Sequence, residues 1–245
     1  MKNKIKNASL IIIGNEILTG RTQDKNINYI AKVLFKNGIS LEYVCVIPDN
    51  KRIIIREITR LKKKYNFIIT TGGIGPTHDD ITAESISLAL NKSYLLHQGA
   101  YKELEKYYKK VKSELTDARK KMAYMPKGSK LIKNSLSGAP GFKIENIFVF
   151  AGIPSIVEVM TKEFLKIINV KNKFYSTSIF TKLFESKISH ILKKAEMSYE
   201  DVSIGSYPIF DGKPKGVEVV INSMSNKKNV INARKYIQRE INKII

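Results

Sequence analysis

The chain has a single cysteine, Cys45, and only three histidines, His78, His97 and His190. One cysteine leaves no partner for an internal disulfide and no Cys-only metal cluster. Within the apolar stretch EYVCVI it reads as a buried small hydrophobe, and the low cysteine usage fits a reducing cytoplasm. The histidines have no metal-ligand spacing. No G-x-S-x-G stretch occurs, so the nucleophile elbow of serine hydrolases is excluded. No apolar run approaches the roughly 20 residues of a membrane helix. The opening MKNKIKNASLIIIGNE sets a basic stretch before an apolar run. That run is about five residues, short of the roughly 7–15 of a signal sequence, and no small-residue cleavage site follows. SLIII reads instead as a buried first strand.

Acidic residues are also scarce. Forty-three Lys and Arg face 22 Asp and Glu, for a formal charge of +21 over 245 residues. The excess is mostly lysine, spread along a chain also rich in Ile and Asn, the joint bias that AT-rich codons produce. No arginine-rich stripe, zinc finger or RNP-like aromatic motif accompanies it, so charge alone identifies no nucleic-acid partner. A basic surface does help to gather anionic substrates such as nucleotides. With 43% hydrophobic residues the chain can bury a sizeable core, as one large domain or two small ones.

The pattern from residue 9 alternates apolar runs with amphipathic stretches. SLIIIG, SLEYVCVI and NFIITTGG read as strands. NINYIAKVLFKNG reads as a helix with Ile27, Ile30, Ala31 and Leu34 on one face and Gly38 as its C-cap. DNKRIIIREITRLKKKY is a helix with Asp49 or Asn50 as N-cap, and ITAESISLALN is another. Such alternation predicts βαβ units, a parallel sheet and right-handed crossovers. A long helical region follows over 100–126, broken at Pro126, and 131–145 reads as a loop. NIFVFAGIP is a further strand and SIVEVMTKEFLKII its helix. Around Asn169–Lys173 the pattern resets. A strand, a helix, two strands joined by the turn DGKPKG and a closing helix make a small α+β unit. The expected domains are 1–170 and 171–245.

TTGGIGPTHDD, Thr70 to Asp80, combines two opposed chemistries. Gly72, Gly73 and Gly75 place no Cβ between backbone N–H groups and a ligand, and consecutive amides in such a turn make an anion nest. The next helix adds its positive end. There is no Lys-Ser/Thr of a P-loop, and the third glycine of a dinucleotide fingerprint is missing. Asp79 and Asp80 would repel a phosphate unless a cation lies between. Mg²⁺ is typically held by one or two carboxylates plus phosphate oxygens. The loop thus points to a divalent-metal phosphate site. A helix capping box from Thr77 to Asp80 is the competing explanation, and it accounts for one aspartate but not for three glycines.

Two further loops belong to the same sheet edge. GNEILTGRTQDKN follows the first strand, with Gly14, Gly20, Glu16 and Asp24, and with Asn26 as an N-cap candidate. FAGIPS carries Gly152, Pro154 and Ser155. Thr71 ends the strand before the glycine turn, and His78 lies within it. Loops at the C-terminal edge of a parallel sheet define a ligand pocket.

Together GNEILTGRTQDKN, TTGGIGPTHDDITAES, ARKKMAYMP and FVFAGIPS resemble the molybdopterin-binding (MoaB/Mog) domain. The CinA-type branch and the related domain of FAD synthases are the nearer matches. IGSYPIF and GVEVVI are similar to the small domain that follows in CinA-type proteins. The resemblance runs from about Ile11 to Ile221. It implies an α/β, three-layer domain with a mostly parallel sheet, followed by a small α+β domain. In the first motif it matches Glu16, Gly20, Asp24 and Asn26. In the second it matches Gly72, Gly73, Gly75, Asp80, Thr82 and Glu84, with Asp80 at the aspartate linked to metal-dependent adenylyl transfer. Pro154 closes the third loop. Ala151 stands where the family usually has proline, and NSLSGAPGF replaces the commoner GTAPGF.

Neither the deamidase domain of full-length CinA proteins nor the adenylylating domain of FAD synthases fits after Ile221, so neither activity is expected. The resemblance leaves metal-dependent hydrolysis of ADP-ribose or an FAD-like dinucleotide. Asp24, Asp79 and Asp80 would be catalytic. Metal ligands would come from these three and Glu16, for Mg²⁺ or alternatively Mn²⁺ or Co²⁺. Gly14, Gly20, Asn26, Thr71, Gly72, Gly73, Gly75, Thr77, Gly152 and Pro154 would contact phosphate. It also implies a cytoplasmic homo-oligomer, dimer or trimer, without membrane association. The rival expectations are molybdopterin binding or adenylylation, and a non-catalytic nucleotide-binding module.

Overall fold

The computed structural model describes residues 5–169, 174–209 and 215–244. The chain divides into two compact units, Met1–Phe35 with Ile39–Val170, and Lys36–Gly38 with Lys171–Ile245. The expected boundary after residue 170 and most of the turn DGKPKG lie outside the described residues.

The first unit is built on a six-stranded sheet. Strands β1 (Lys6–Ile13), which leads into the one-turn helix α1 (Asn15–Leu18), β2 (Ile39–Ile47), β3 (Phe67–Thr71) and β8 (Ile147–Phe150) are parallel. Strand β7 (Gly141–Ile144) runs antiparallel to β8, and β6 (Lys130–Ile132) antiparallel to β7. The order is β2-β1-β3-β8-β7-β6. A separate short antiparallel pair joins β4 (Tyr94–Leu96) and β5 (Tyr124–Pro126).

Period-2 alternation in β1 sorts its side chains into two cores. Ile11 and Ile13 join Ile54, Ile58, Ile86 and Leu104 from helices α3 (Lys51–Leu61), α4 (Thr82–Ala89) and α5 (Gln98–Lys110). Leu10 and Ile12 join Ile30, Leu34 and Phe164 from α2 (Asn26–Lys36) and α7 (Pro154–Ile168) on the other face. The unit is therefore three layers, with helices on both faces of a mostly parallel sheet. Phe148 and Phe164 meet edge to face with ring centroids 4.6 Å apart, which anchors α7 against β8.

Two expectations fail here. The long helix over 100–126 stops at Lys110. Lys112 takes φ 51, Thr116 caps the short helix α6 (Asp117–Lys120), and a 3-10 turn (Lys121–Ala123) leads into β5. Lysine and glutamate favour helix throughout this segment, but pairing of Tyr124–Pro126 with β4 overrides that propensity. The segment 131–145 is not all loop. It contains most of β6 and all of β7, whose inward residues Ile132, Phe142 and Ile144 are buried. Strands of three and four residues are too short to show a period.

The second unit has an antiparallel sheet of order β10-β11-β9, from β9 (Tyr175–Thr181), β10 (Ser203–Ile209) and β11 (Gly216–Ser223). Helices α8 (Glu185–Ser198) and α9 (Lys227–Asn242) cover one face through Ile188, Ile191, Val230 and Ile237, packed on Val217, Val219 and Ile221. This is the small α+β unit expected. No helix among the described residues is long and apolar enough to cross a membrane.

Candidate functional site

Sheet register brings four loops together. Ile13 pairs with Ile47, Ile12 with Thr71, and Thr71 with Phe150, so β1, β2, β3 and β8 end level. The strand order reverses direction at β1, with β2 on one side and β3 on the other. Open α/β sheets bind ligands at such a switch point, beyond the carboxyl ends of the strands. A cleft of about 580 Å³ lies there. Gly14, Glu16 and Thr22 line it from the first loop, and Asp49 from the second. Gly72 to Thr77, Asp79 and Asp80 form its floor, and Ala151 to Pro154 close it from the fourth loop.

The three glycines have different tasks. Gly72 takes φ 99, and a Cβ there would stand 2.1 Å from the Ile13 carbonyl oxygen. Its N–H donates to the Phe150 carbonyl at 3.1 Å, so it is not free for an anion. Gly73, at φ 68, brings its Cα against Thr82, and its carbonyl accepts from the Thr82 N–H at 2.9 Å. Gly75 admits the Asp80 carboxylate, since a Cβ would lie 2.7 Å from Oδ2. Among the described residues the N–H groups of Gly73, Ile74 and Gly75 donate to no acceptor. Of the amides expected to form an anion nest, these three are the ones left without an acceptor.

Thr77 organises the acids. Its N–H donates to Asp80 Oδ2 at 2.8 Å, and its hydroxyl lies 2.6 Å from the same oxygen and 2.5 Å from Asp79 Oδ1. One hydroxyl has one proton, so it serves one carboxylate at a time. The hydrogen bond from Thr77 holds the Asp79 carboxyl below the usual carboxylate range, with His78 and Lys121 adding smaller effects. The pairing has the form of a capping box without its helix. Helix α4 starts at Thr82, and its N-cap, Ile81, makes no side-chain cap bond. The competing explanation for Asp80 thus covers the loop's internal geometry and not a helix end.

Asp49 is the acid that sequence patterning did not place at the site. It lies two residues beyond β2 and accepts from the Asn15 N–H at 2.9 Å. Burial pushes its carboxyl up, and the charges of Glu16, Asp79 and Asp80 push the same way, against the Asn15 hydrogen bond. Its position after a parallel strand was the available signal. The N-cap of α3 is Asn50, which accepts from Ile53 N–H.

The remaining expected site residues sit apart from the cleft. Asp24 Oδ1 accepts from the Ile27 N–H at 2.8 Å and so caps α2, the task expected of Asn26. Asn26 is the first residue of α2 and 5% exposed, and it donates from Nδ2 to the Gly152 carbonyl at 2.8 Å, tying the first loop to the fourth. Gly20 turns at φ 72 with open space around it. Thr71 is buried at the end of β3, and its hydroxyl and that of Thr82 have no hydrogen-bond partner among the described residues. Asp24, Asn26, Gly20, Thr71 and His78 do not line the cleft. Tyr108, Met122, Ser137 and Ala139 do; Met122 belongs to the motif ARKKMAYMP and Ser137 and Ala139 to NSLSGAPGF, although none was selected as a site residue, and Tyr108 lies outside every motif. Asn134 shapes the last stretch by donating to Ser137 Oγ and the Ala139 carbonyl and accepting from the Leu136 N–H.

No three His, Cys, Asp or Glu side chains among the described residues form a ready metal cage. The donor set still suits Mg²⁺, which keeps several waters and needs one or two carboxylates alongside phosphate oxygens. The mutual repulsion felt at Asp49 is what a cation would relieve.

Residues 9–169 match the family described as probable molybdopterin binding domain. The chain belongs to this molybdopterin-binding family. Residues 173–245 match a second description, FAD synthase, middle domain. A protein of Archaeoglobus fulgidus is 34% identical over 233 residues, 95% of this chain and 97% of its own length. A CinA-like protein of Fusobacterium nucleatum is 31% identical over 97% of this chain but only 59% of its own length. Among solved structures, the protein CinA with unknown function from Thermoplasma acidophilum aligns with TM-score 0.61 at 30% identity, over 66% of this chain and 99% of that one. The resemblance drawn from the four motifs is thereby confirmed for the family and the fold. The molybdopterin-binding domain is the one that carries the cleft.

Proposed function

We propose that this member of the molybdopterin-binding family is a metal-dependent nucleotide pyrophosphatase acting on ADP-ribose or FAD-like dinucleotides. One observation carries the reading. Three backbone N–H groups without an acceptor among the described residues, at Gly73, Ile74 and Gly75, and the carboxylates of Asp79 and Asp80 belong to residues that line the same cleft. Amides alone would suit any anion, and carboxylates alone any cation. Their juxtaposition suits a diphosphate with a divalent cation bound to it.

The amides would hold the diphosphate oxygens that the carboxylates would otherwise repel. Asp80 and Asp79 would hold the metal directly or through water, with Glu16 lining the same cleft. A bound metal would neutralise charge developing on phosphorus and lower the pKa of an attacking water. Thr77 would keep both aspartates turned inward. Asp24 and Asn26 would act from behind, by fixing α2 and the Gly152 loop. The likeness of residues 173–245 to the middle domain of FAD synthase supports a dinucleotide substrate.

The test is incubation with ADP-ribose, FAD and related dinucleotides in Mg²⁺, Mn²⁺ or Co²⁺, with AMP release followed. Release of AMP that stops on chelation is the expected result. A second reading, binding or adenylylation of molybdopterin, rests on the family match over 9–169. Pterin binding with no AMP release under any metal selects it instead.

A further inference from the structure

Asp80 lines a second cleft as well as the first. This one has a volume of about 380 Å³ and is bounded by α4, the β4–β5 pair and α6. A small void shares Gly73, Gly75 and Asp80 with the first cleft, and Tyr94, Lys121 and Tyr124 with the second. The aspartate loop is thus the common wall of two spaces.

The second cleft has its own chemistry. Tyr94 pairs with Pro126 across the short ladder and Leu96 with Tyr124, so the two tyrosines are diagonal neighbours on one face. Their ring centroids are 5.6 Å apart, tilted by 47°, and Tyr124 is 39% exposed. Burial, with Glu84 nearby, pushes the Tyr94 hydroxyl up to about 12, so it remains a hydrogen-bond donor at working pH. Most of the charges around the tyrosines are already paired. Lys120 meets Asp117 at 2.8 Å, and Lys51 meets Glu84 at 2.7 Å. Lys121 makes no ion pair among the described residues and donates to the carbonyl of Thr77, the residue that orients Asp79 and Asp80. A cation therefore stands where the two clefts meet, beside an open pair of aromatic rings.

We propose that the second cleft takes the other mononucleotide half of a two-headed dinucleotide, its ring system stacked on Tyr124 and Tyr94 and its phosphate beside Lys121. The proposal rests on the pyrophosphatase reading of the first cleft and narrows its substrate class. Stacking on an aromatic side chain is tolerant of ring identity but requires a ring. The favoured substrate then has aromatic ring systems at both ends, as FAD does, whereas the second half of ADP-ribose, a ribose phosphate, offers no aromatic ring.

The test titrates AMP and FMN, singly and together, into the full chain with Mg²⁺, by calorimetry. Both are products of a two-headed dinucleotide and contain no pyrophosphate bond. The expected result is that the two bind at the same time. Tyr124→Ala should weaken one of them by about tenfold or more and leave the other within about twofold, with Tyr124→Phe restoring the loss. Mutual displacement, failure of either to bind, or an equal change for both in Tyr124→Ala overturns the second cleft. The outcome separates from that of the hydrolysis assay. AMP release from FAD with competing mononucleotides keeps the pyrophosphatase and removes this subsite. Simultaneous binding without hydrolysis does the reverse.

Discussion

The backbone of Gly72 presses against the carbonyl of Ile13, so closely that a Cβ on Gly72 would stand 2.1 Å from that oxygen. The contact joins the ends of β1 and β3 at the point where the sheet order reverses, and it sets the floor of the cleft. The obstructing atom belongs to the backbone of a buried central strand, so it cannot move aside.

Gly72→Ala should therefore damage the fold itself. The strained φ of 99 and the backbone clash act together. A loss of about 2–4 kcal/mol or failure to fold is expected, against the roughly 1 kcal/mol of a mutation at an unstrained position. Gly20→Ala provides the contrast. It shares a positive φ but has no atom within 4 Å of the added carbon, so only the conformational penalty of about 1 kcal/mol should appear. Denaturant unfolding of the two variants checks the ranking.

Thr77→Val should leave the fold intact and disturb both aspartates. Thr77 is the main reason the Asp79 carboxyl lies below its usual range. In the variant its titration midpoint, followed by carboxyl NMR shifts, should move up. The sign follows from linkage. A carboxyl depressed by folding stabilises the fold above its unfolded pKa, and that contribution fades as pH falls through the folded value. The wild-type loop should thus loosen on acidification, and the variant should show less of this dependence. If the hydrolysis reading holds, turnover should also fall, by about tenfold or more, because the acids lose their orientation.

Asp49→Asn should raise stability at neutral pH. Burial and the charges of Glu16, Asp79 and Asp80 hold the Asp49 carboxyl above its usual range. The folded chain thus binds this proton more tightly than the unfolded chain. The resulting stability is present below the unfolded pKa and is lost as pH rises through the folded value. Asparagine removes the charge and keeps an acceptor for the Asn15 N–H. Thermal melts should show a higher Tm for the variant at pH 7, with the gap closing near pH 3.

The first three parallel strands, the helices between them and the three loops around Gly14, Gly72 and Gly152 were legible because each runs on an unbroken period. Ile11 and Ile13 point one way and Leu10 and Ile12 the other, which is the period-2 signature of a strand buried on both faces. The short strands Tyr94–Leu96, Lys130–Ile132 and Gly141–Ile144 were hidden because only their partners define them. Asp24 looked like a site acid because it lies beside glycines and in the first motif, yet its oxygen is spent on the Ile27 N–H. Asp49 looked like a helix cap and belongs to the cleft. A carboxylate's task depends on which way it faces, and at loop ends the local sequence does not encode that direction.

The most direct test of the central claim is turnover by Asp80→Asn. Asp80 accepts the Thr77 N–H, shares the Thr77 hydroxyl with Asp79, faces Gly75 and borders both clefts, and asparagine keeps its shape while removing its charge. Wild-type protein and the variant are compared for AMP release from FAD and ADP-ribose in Mg²⁺, with Tm measured on both. The account predicts AMP from the wild type, none above background from the variant, and melting temperatures that agree within a few degrees. Undiminished AMP release by Asp80→Asn, or none from the wild type with Mg²⁺, Mn²⁺ or Co²⁺, would contradict it.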